Sequence, residues 1–225
     1  MGLKLAILAS GSGTNAEAIF KAVERGALDA DIRLVLANRP GAKVLERAAR
    51  RSVPAVCLDH KAFPDRENFD NAVIKAIQDA GADTVALAGY MRLVTPAFLD
   101  AFPNRVLNIH PAILPSFPGV HGAADAHAWG VKFTGCTVHF VSPEMDCGPI
   151  IVQACLPVLQ DESEEELQNR IHTLEHRIYP QALQWLAGNR LDIRGRRVFL
   201  KQDAERRPAQ LPANILVWPA LEEGF

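Results

Sequence analysis

The stretch Val106-Leu107-Asn108-Ile109-His110-Pro111 is the most informative in the chain. In a strand, side chains alternate, so Leu107 and Ile109 point to one face while Asn108 and His110 point to the other. Pro111 cannot donate to a sheet and favours an extended residue before it, which predicts that the strand ends at His110. An amide and an imidazole then lie together at a carboxyl strand end, the edge of an open α/β sheet where ligands bind. Taken alone, the pair is also compatible with two side chains that merely satisfy a strand end.

The composition limits the kinds of protein that the sequence can encode. A chain of 225 residues with 48% hydrophobic residues can bury a sizeable core, and its formal net charge is −2. This charge gives no basic field for nucleic acid or anionic membrane, so neither partner is expected. The chain opens directly into a strand-length apolar run without a signal-peptide pattern, so we expect a cytoplasmic protein. Its four cysteines form no C-x-x-C pair, and neither a disulfide framework nor a metal site is expected.

Strand-like and helix-like segments alternate through the first half, which predicts right-handed βαβ units around a parallel sheet. The predicted strands are residues 3–9, 32–37, 53–58, 84–88 with a continuation over 90–96, and 106–110; helices are predicted over 16–24, 42–51 and 66–80. In the second half, a short helix at 123–129 precedes an antiparallel pair, 134–141 and 150–154, and a long amphipathic helix covers 162–188.

The fold class is therefore α/β: an open, mostly parallel twisted sheet with helices on both faces, a Rossmann-like N-terminal half, and antiparallel strands in the C-terminal half. We expect one domain over residues 1–190. Residues 191–225 are expected to form a small hairpin around Gly195, followed by an irregular tail from Gln202 to Phe225.

A glycine-rich turn, Ser10-Gly11-Ser12-Gly13-Thr14-Asn15, joins the first strand to the first helix. Such a turn presents free N–H groups and the positive end of a helix dipole to an anion, and Thr14 and Asn15 can cap the helix or donate to a phosphate. It lacks both G-x-G-x-x-G and the P-loop lysine, so a mononucleotide-like or sugar phosphate fits better than a dinucleotide. A tight turn with a good helix cap explains the same residues.

Other segments can complete a ligand site at this edge. Gly89-Tyr90-Met91-Arg92-Leu93 follows a central strand and can line a pocket for a flat heterocycle, although core packing is the usual role of such residues. Asp146 lies in a Pro/Gly turn; it is either a local cap or a carboxylate that folds back onto His110 and fixes its tautomer. Arg39, Arg47, Arg50 and Arg51 form a basic cluster that we interpret as a solvated face without a role.

Together these motifs resemble the phosphoribosylglycinamide formyltransferases, folate-dependent enzymes of purine biosynthesis and one-carbon metabolism. The resemblance rests on the glycine-rich turn, on Leu87-Ala88-Gly89-Tyr90-Met91-Arg92, on Asn108-Ile109-His110-Pro111 with Pro118-Gly119-Val120-His121, on Thr137-Val138-His139-Phe140-Val141 and on Asp146-Cys147-Gly148-Pro149. It implies transfer of a formyl group from 10-formyltetrahydrofolate, a co-substrate, to the amine of N1-(5-phospho-D-ribosyl)glycinamide, with no metal.

The resemblance also implies roles for individual positions. The catalytic residues would be Asn108, His110 and Asp146. The ribonucleotide would contact Gly13, Thr14, Asn15, His172 and Glu175, and the folate would contact Arg66, Met91, Arg92, Leu93, Val94, Asn108 and the turn Ser142, Pro143, Glu144, Met145 and Asp146. Ala112 and Ser116 depart from the Ser and Lys expected in many relatives, and the resemblance does not extend to the tail beyond about Lys201. We expect a monomer or weak homodimer.

Three alternatives stay open. Formyltetrahydrofolate deformylase passes the formyl group to water, but its relatives usually carry an N-terminal regulatory module, for which a first strand at Leu3 leaves no room. Methionyl-tRNA formyltransferase, another folate-dependent N-formyltransferase, would need a basic C-terminal tRNA-binding domain, and the segment after Gly188 is short and not strongly basic. A non-catalytic nucleotide-binding module would keep the glycine-rich turn without needing the Asn, His and Asp together.

Overall fold

The computed structural model describes residues 2–225, and the ten strands of this range form one sheet. Its ten strands are β1 (Leu3–Ala9), β2 (Ala30–Ala37), β3 (Ala55–Cys57), β4 (Thr84–Leu87), β5 (Val106–His110), β6 (Phe133–Phe140), β7 (Ile150–Pro157), β8 (Leu191–Arg194), β9 (Arg197–Leu200) and β10 (Leu216–Trp218). The helices are α1 (Thr14–Glu24), α2 (Lys43–Ala49), α3 (Arg66–Asp79), α4 (Pro96–Ala101), α5 (Gly122–Trp129) and α6 (Glu164–Ala187). Across this range, every helix is too short or too polar to span a lipid bilayer.

The sheet has the order β3-β2-β1-β4-β5-β6-β7-β9-β8, and β10 pairs with β7 beside this path. β1 to β5 are parallel to one another, whereas β6 pairs antiparallel with both β5 and β7, and β10 pairs antiparallel with β7. This is the predicted architecture. The chain runs outward from β1 to β3 and then returns to build from β4 in the other direction, so a topological switch point lies between β1 and β4.

Helices cover both faces, as predicted. One apolar cluster packs α1, α2, α5 and α6 against the sheet through residues such as Phe20, Val44 and Trp185. The other packs α3 and α4 on the opposite face through Phe69 and Phe98. Each cluster takes alternate residues of the central strands, so Leu107 and Ile109 lie in the first cluster and leave Asn108 and His110 on the opposite face of β5.

Two predicted segments differ from the structure. Residues 90–96 do not continue the strand of β4: they form a loop that leads into α4, where the Thr95 side chain accepts a hydrogen bond from the Phe98 N–H and Pro96 opens the helix. The expectation of an irregular tail was also wrong in part, because the tail contains β10. Its last residues pack into the core, where Leu221 is 1% and Phe225 8% exposed.

Candidate active site

The two loops that leave the switch point are tied together by Ser10. Its backbone N–H donates to the Gly89 carbonyl at 2.9 Å, and its hydroxyl oxygen accepts from the Met91 N–H at 2.8 Å. The same hydroxyl donates to the Asn38 side chain at 2.6 Å. One buried serine at the end of β1 therefore fixes the loop after β4 against the glycine-rich turn, and a crevice opens at the carboxyl edge of the sheet.

His110 is enclosed by oxygen acceptors at the end of β5, where it is 3% exposed. Its Nε2 lies 2.7 Å from the Phe117 carbonyl oxygen, which can only accept, so this nitrogen carries a hydrogen. Its Nδ1 lies 3.6 Å from Oδ2 of Asp146, and the same carboxylate oxygen accepts from the Gly119 N–H at 2.7 Å. The imidazole is therefore held at Nε2 by the loop after β5. Its Nδ1 faces the carboxylate of Asp146, which is distant in the chain but close in space, as the sequence suggested.

A second histidine, His139 of β6, adjoins this group. The β5 and β6 register sets it opposite Asn108, and its Nε2 lies 3.1 Å from the Asn108 amide nitrogen. Its Nδ1 lies 2.9 Å from the Phe140 carbonyl oxygen, so Nδ1 carries the hydrogen and Nε2 accepts from the amide. Burial lowers the pKa of His139, and the neighbouring Phe140 carbonyl and Asp146 carboxylate offset this only in part. A neutral His139 thus holds the amide of Asn108 in one orientation.

An apolar cavity of about 230 Å³ adjoins the Asn108, His110 and Asp146 group. Its wall includes backbone and side chains of the loop after β4 and of the turn before β7: Met91, Arg92, Leu93, Val94, Ser142, Pro143, Glu144 and Met145. The loop is braced from behind, since buried Asp70 accepts from the Thr95 N–H at 2.6 Å and the Arg92 guanidinium lies 4.7 Å from the centre of the Phe69 ring. A slot of this kind suits a flat, partly polar heterocycle.

The glycine-rich turn leads into α1 with its N-terminus free of side-chain caps. Gly13 occupies the N-cap position at φ 69°, a left-handed conformation that suits glycine. Thr14 and Asn15 already belong to the helix, so neither caps it as the sequence suggested. The first-turn N–H groups of α1 are left for an anion.

The Asn15 side chain instead reaches α6. Its amide donates to Glu175 Oε2 at 2.8 Å, and its own Oδ1 is buried without a hydrogen-bond partner. Burial raises the pKa of Glu175 to about 7, against the opposing hydrogen bond from Asn15. His172 lies one turn earlier on α6, with its Nε2 4.0 Å from Glu175 Oε2. A buried carboxyl and an unpartnered amide oxygen therefore lie beside the N-terminal end of α1.

The structure brings together most of the residues singled out in the sequence. Asn108, His110 and Asp146 meet at the mouth of the apolar cavity. Arg66 is the exception: it opens α3, is exposed, and lies outside the lining of that cavity. His139 was missed as a functional residue, and the available signal was a histidine in a strand that otherwise contains apolar, small and hydroxyl residues.

Both the sequence and the fold of this chain are similar to those of known proteins. A model of the formyl transferase family matches residues 3–183. The chain belongs to the formyl transferase family. Phosphoribosylglycinamide formyltransferase of Escherichia coli is 38% identical over 208 residues, which cover 92% of this chain and 97% of the relative. The crystal structure of glycinamide ribonucleotide transformylase 1 from Symbiobacterium toebii superimposes with a TM-score of 0.88 at 47% identity, covering 89% of this chain and 95% of that one.

Some formyl transferase relatives are much longer. The trifunctional purine biosynthetic protein adenosine-3 of Drosophila melanogaster is 40% identical over 185 residues, and the match spans 81% of this chain but 14% of that protein. This chain therefore corresponds to one segment of such a protein and to nearly the whole of the bacterial relative.

Proposed function

We propose that this chain is a phosphoribosylglycinamide formyltransferase, which transfers the formyl group of 10-formyltetrahydrofolate to the amine of N1-(5-phospho-D-ribosyl)glycinamide. The observation that carries the proposal is the meeting of Asn108, His110 and Asp146 at the mouth of an apolar slot, on the same carboxyl edge of the parallel sheet as the glycine-rich turn. Membership of the formyl transferase family supports the reaction class. The products are the N-formyl ribonucleotide and tetrahydrofolate, a one-carbon step of purine biosynthesis.

In the proposed reaction, a carbon–nitrogen bond forms between the substrate amine and the formyl carbon, and the bond from that carbon to the folate nitrogen breaks. Negative charge develops on the formyl oxygen during the attack. The Asn108 amide, held by His139 at 3.1 Å, supplies one hydrogen-bond donor for this charge. A protonated His110 supplies another through its Nδ1–H, because its Nε2–H is already bonded to the Phe117 carbonyl. One such preorganised donor is worth about 3 kcal/mol in other acyl-transfer sites.

A proton must also move from the attacking amine to the departing folate nitrogen. His110 is the proposed shuttle, directly or through a water, because its imidazole lies at the mouth of the slot, whereas the neighbouring His139 is kept neutral by burial and is bonded to the Asn108 amide. Asp146 faces its Nδ1 at 3.6 Å, where its negative charge would stabilise positive charge that develops on the ring during the transfer. The role of Asp146 is thus to orient His110 and to stabilise it electrostatically while the proton moves.

The ends of the crevice match the two substrates in their chemistry. Met91, Arg92, Leu93, Val94 and residues 142–146 would hold the folate ring system. Gly13, Thr14 and Asn15 would hold the ribonucleotide phosphate through backbone N–H groups, with His172 and Glu175 nearby for the remaining polar groups. Arg66 would contact the outer part of the folate. The proposal further assigns a cytoplasmic enzyme acting as a monomer or weak homodimer, and the four free cysteines agree with a reducing compartment.

The test is product analysis of the purified chain with 10-formyltetrahydrofolate, in the presence and absence of the glycinamide ribonucleotide. We expect stoichiometric formation of the N-formyl ribonucleotide and tetrahydrofolate only when the ribonucleotide is present. Consumption of the folate at the same rate without it, with release of formate, would instead identify a deformylase and refute the proposal.

A further inference from the structure

The glycine-rich turn is supported from outside by α2. The Val44 N–H donates to the Gly11 carbonyl at 3.2 Å, and the Nε–H of Arg47 donates to the Ser12 carbonyl at 2.8 Å. The Val44 side chain also fills the space beside Gly13, where an added Cβ would lie 2.6 Å from Val44 Cγ2. Two successive carbonyl groups of the turn are therefore drawn toward the same helix.

Because the peptide unit is planar, these contacts also fix the directions of two backbone N–H groups on the opposite side of the turn. In a planar trans peptide, the C=O and N–H groups of one unit point in opposite directions. The Ser12 carbonyl that Arg47 binds shares its peptide unit with the Gly13 N–H. Holding that carbonyl toward α2 therefore turns the Gly13 N–H away from α2, and the Gly11 carbonyl fixes the Ser12 N–H in the same manner.

Arg47 is itself held in place by an ion-pair network with α1. Its Nη1 donates to Glu17 Oε2 at 3.1 Å, and Arg51 binds the other carboxylate oxygen of Glu17 at 2.8 Å. Burial alone would raise the pKa of Glu17, but hydrogen bonds and charge from Arg51 and Arg47 outweigh it and lower the pKa. The arginine fork thus spans the carbonyl of the turn and a carboxylate in the first turn of α1, a geometry that one ammonium group cannot reproduce.

We infer that Arg47 is a positioning residue for phosphate recognition: its hydrogen bond to Ser12 orients the Gly13 N–H toward the phosphate. The inference rests on the proposed function. It assigns a role to Arg47, one member of the basic cluster Arg39, Arg47, Arg50 and Arg51 that the sequence indicated to be a solvated face. Arg47 is not among the residues that line the slot beside Asn108, His110 and Asp146. Its contribution is the fixed direction of a backbone donor, together with a positive charge behind the turn.

The experiment compares Arg47→Met and Arg47→Lys with the control Arg51→Met, which removes another partner of Glu17, one whose hydrogen bonds go to Glu17, Glu24 and the Arg47 carbonyl and none to the turn. For Arg47→Met we expect the KM for the ribonucleotide to rise about tenfold, the scale of a hydrogen bond to a charged group, with kcat and the folate KM close to wild type. Arg47→Lys should recover part of this loss through its charge. Arg51→Met should stay within about twofold of wild type.

Calorimetric titration of the same proteins with inorganic phosphate provides a readout that does not need turnover. Weaker phosphate binding by Arg47→Met than by Arg51→Met supports the inference, even if wild-type protein formylates no ribonucleotide and the proposed function fails. Equal phosphate affinities in these two variants would overturn it. So would an equal rise in KM for both substrates in Arg47→Met, because that result indicates a general loss of structure.

Discussion

Replacing Glu175 by glutamine tests the electrostatics of the site, because this carboxyl is fully buried beside Asn15 and its pKa is raised to about 7 from an ordinary value of 4.5. Each pKa unit corresponds to about 1.4 kcal/mol, so an ionised Glu175 costs the folded state about 3 kcal/mol near pH 8. Glutamine keeps an acceptor for the Asn15 amide and carries no charge. The substitution should therefore stabilise the protein at alkaline pH.

The direction in which the stability changes with pH follows from the direction of the pKa change. A carboxyl whose pKa is higher in the folded state stabilises the protein fully below about pH 4.5, and that contribution is lost as the pH rises through about 7. The advantage of Glu175→Gln over wild type in the free energy of unfolding should thus grow by about 2–3 kcal/mol between pH 5 and pH 8.

Urea unfolding of both proteins at these two pH values measures the change. Glu17→Gln is the matched control: the two arginines lower the pKa of Glu17 from its ordinary value of 4.5, so its contribution to stability is already present at pH 5 and is lost only at lower pH. The difference between Glu17→Gln and wild type should therefore be nearly the same at pH 5 and pH 8. An equal difference between Glu175→Gln and wild type at pH 5 and pH 8 would refute the reasoning.

Two further predictions concern the tail and the neighbour of the catalytic amide. Leu221→Ala should lower the free energy of unfolding by about 2–4 kcal/mol, because Leu221 is 1% exposed. The control Leu216→Ala, at 69% exposure, should change it by less than about 0.5 kcal/mol. Equal effects of the two substitutions in chemical denaturation would show that the tail does not pack as described. His139→Leu frees the Asn108 amide to rotate and should lower kcat about tenfold with the ribonucleotide KM unchanged, and steady-state kinetics at wild-type kcat would contradict this.

Local patterns were enough to predict the parts of the fold whose signals lie within one segment. β1 and β5 have the predicted bounds because apolar runs with clear turn signals define them. α4 was missed because it has only six residues, and the strand-like sequence before it masked the Thr95-Pro96 start signal. β10 could not be predicted, since its stability comes from pairing with β7, about sixty residues away in the chain.

The same distinction holds for the candidate site. Strand alternation alone assigned Asn108 and His110 to one face, and the structure agrees. The sequence supports the approach of Asp146 to His110 only as a hypothesis, because that approach requires the turn before β7 to fold back over the sheet edge. In the structure the turn does so. His139 was missed because its proximity to Asn108 depends on the register of β5 with β6, which no local pattern specifies.

The most direct test of the central claim is the kcat of His110→Ala and Asp146→Asn with both substrates saturating, measured beside the folate dissociation constant of each variant. We predict that each variant loses at least about a hundredfold in kcat while its folate affinity stays within a few fold of wild type. Wild-type kcat in both variants would contradict the account, because the imidazole and carboxylate that meet at the sheet edge would then take no part in the reaction.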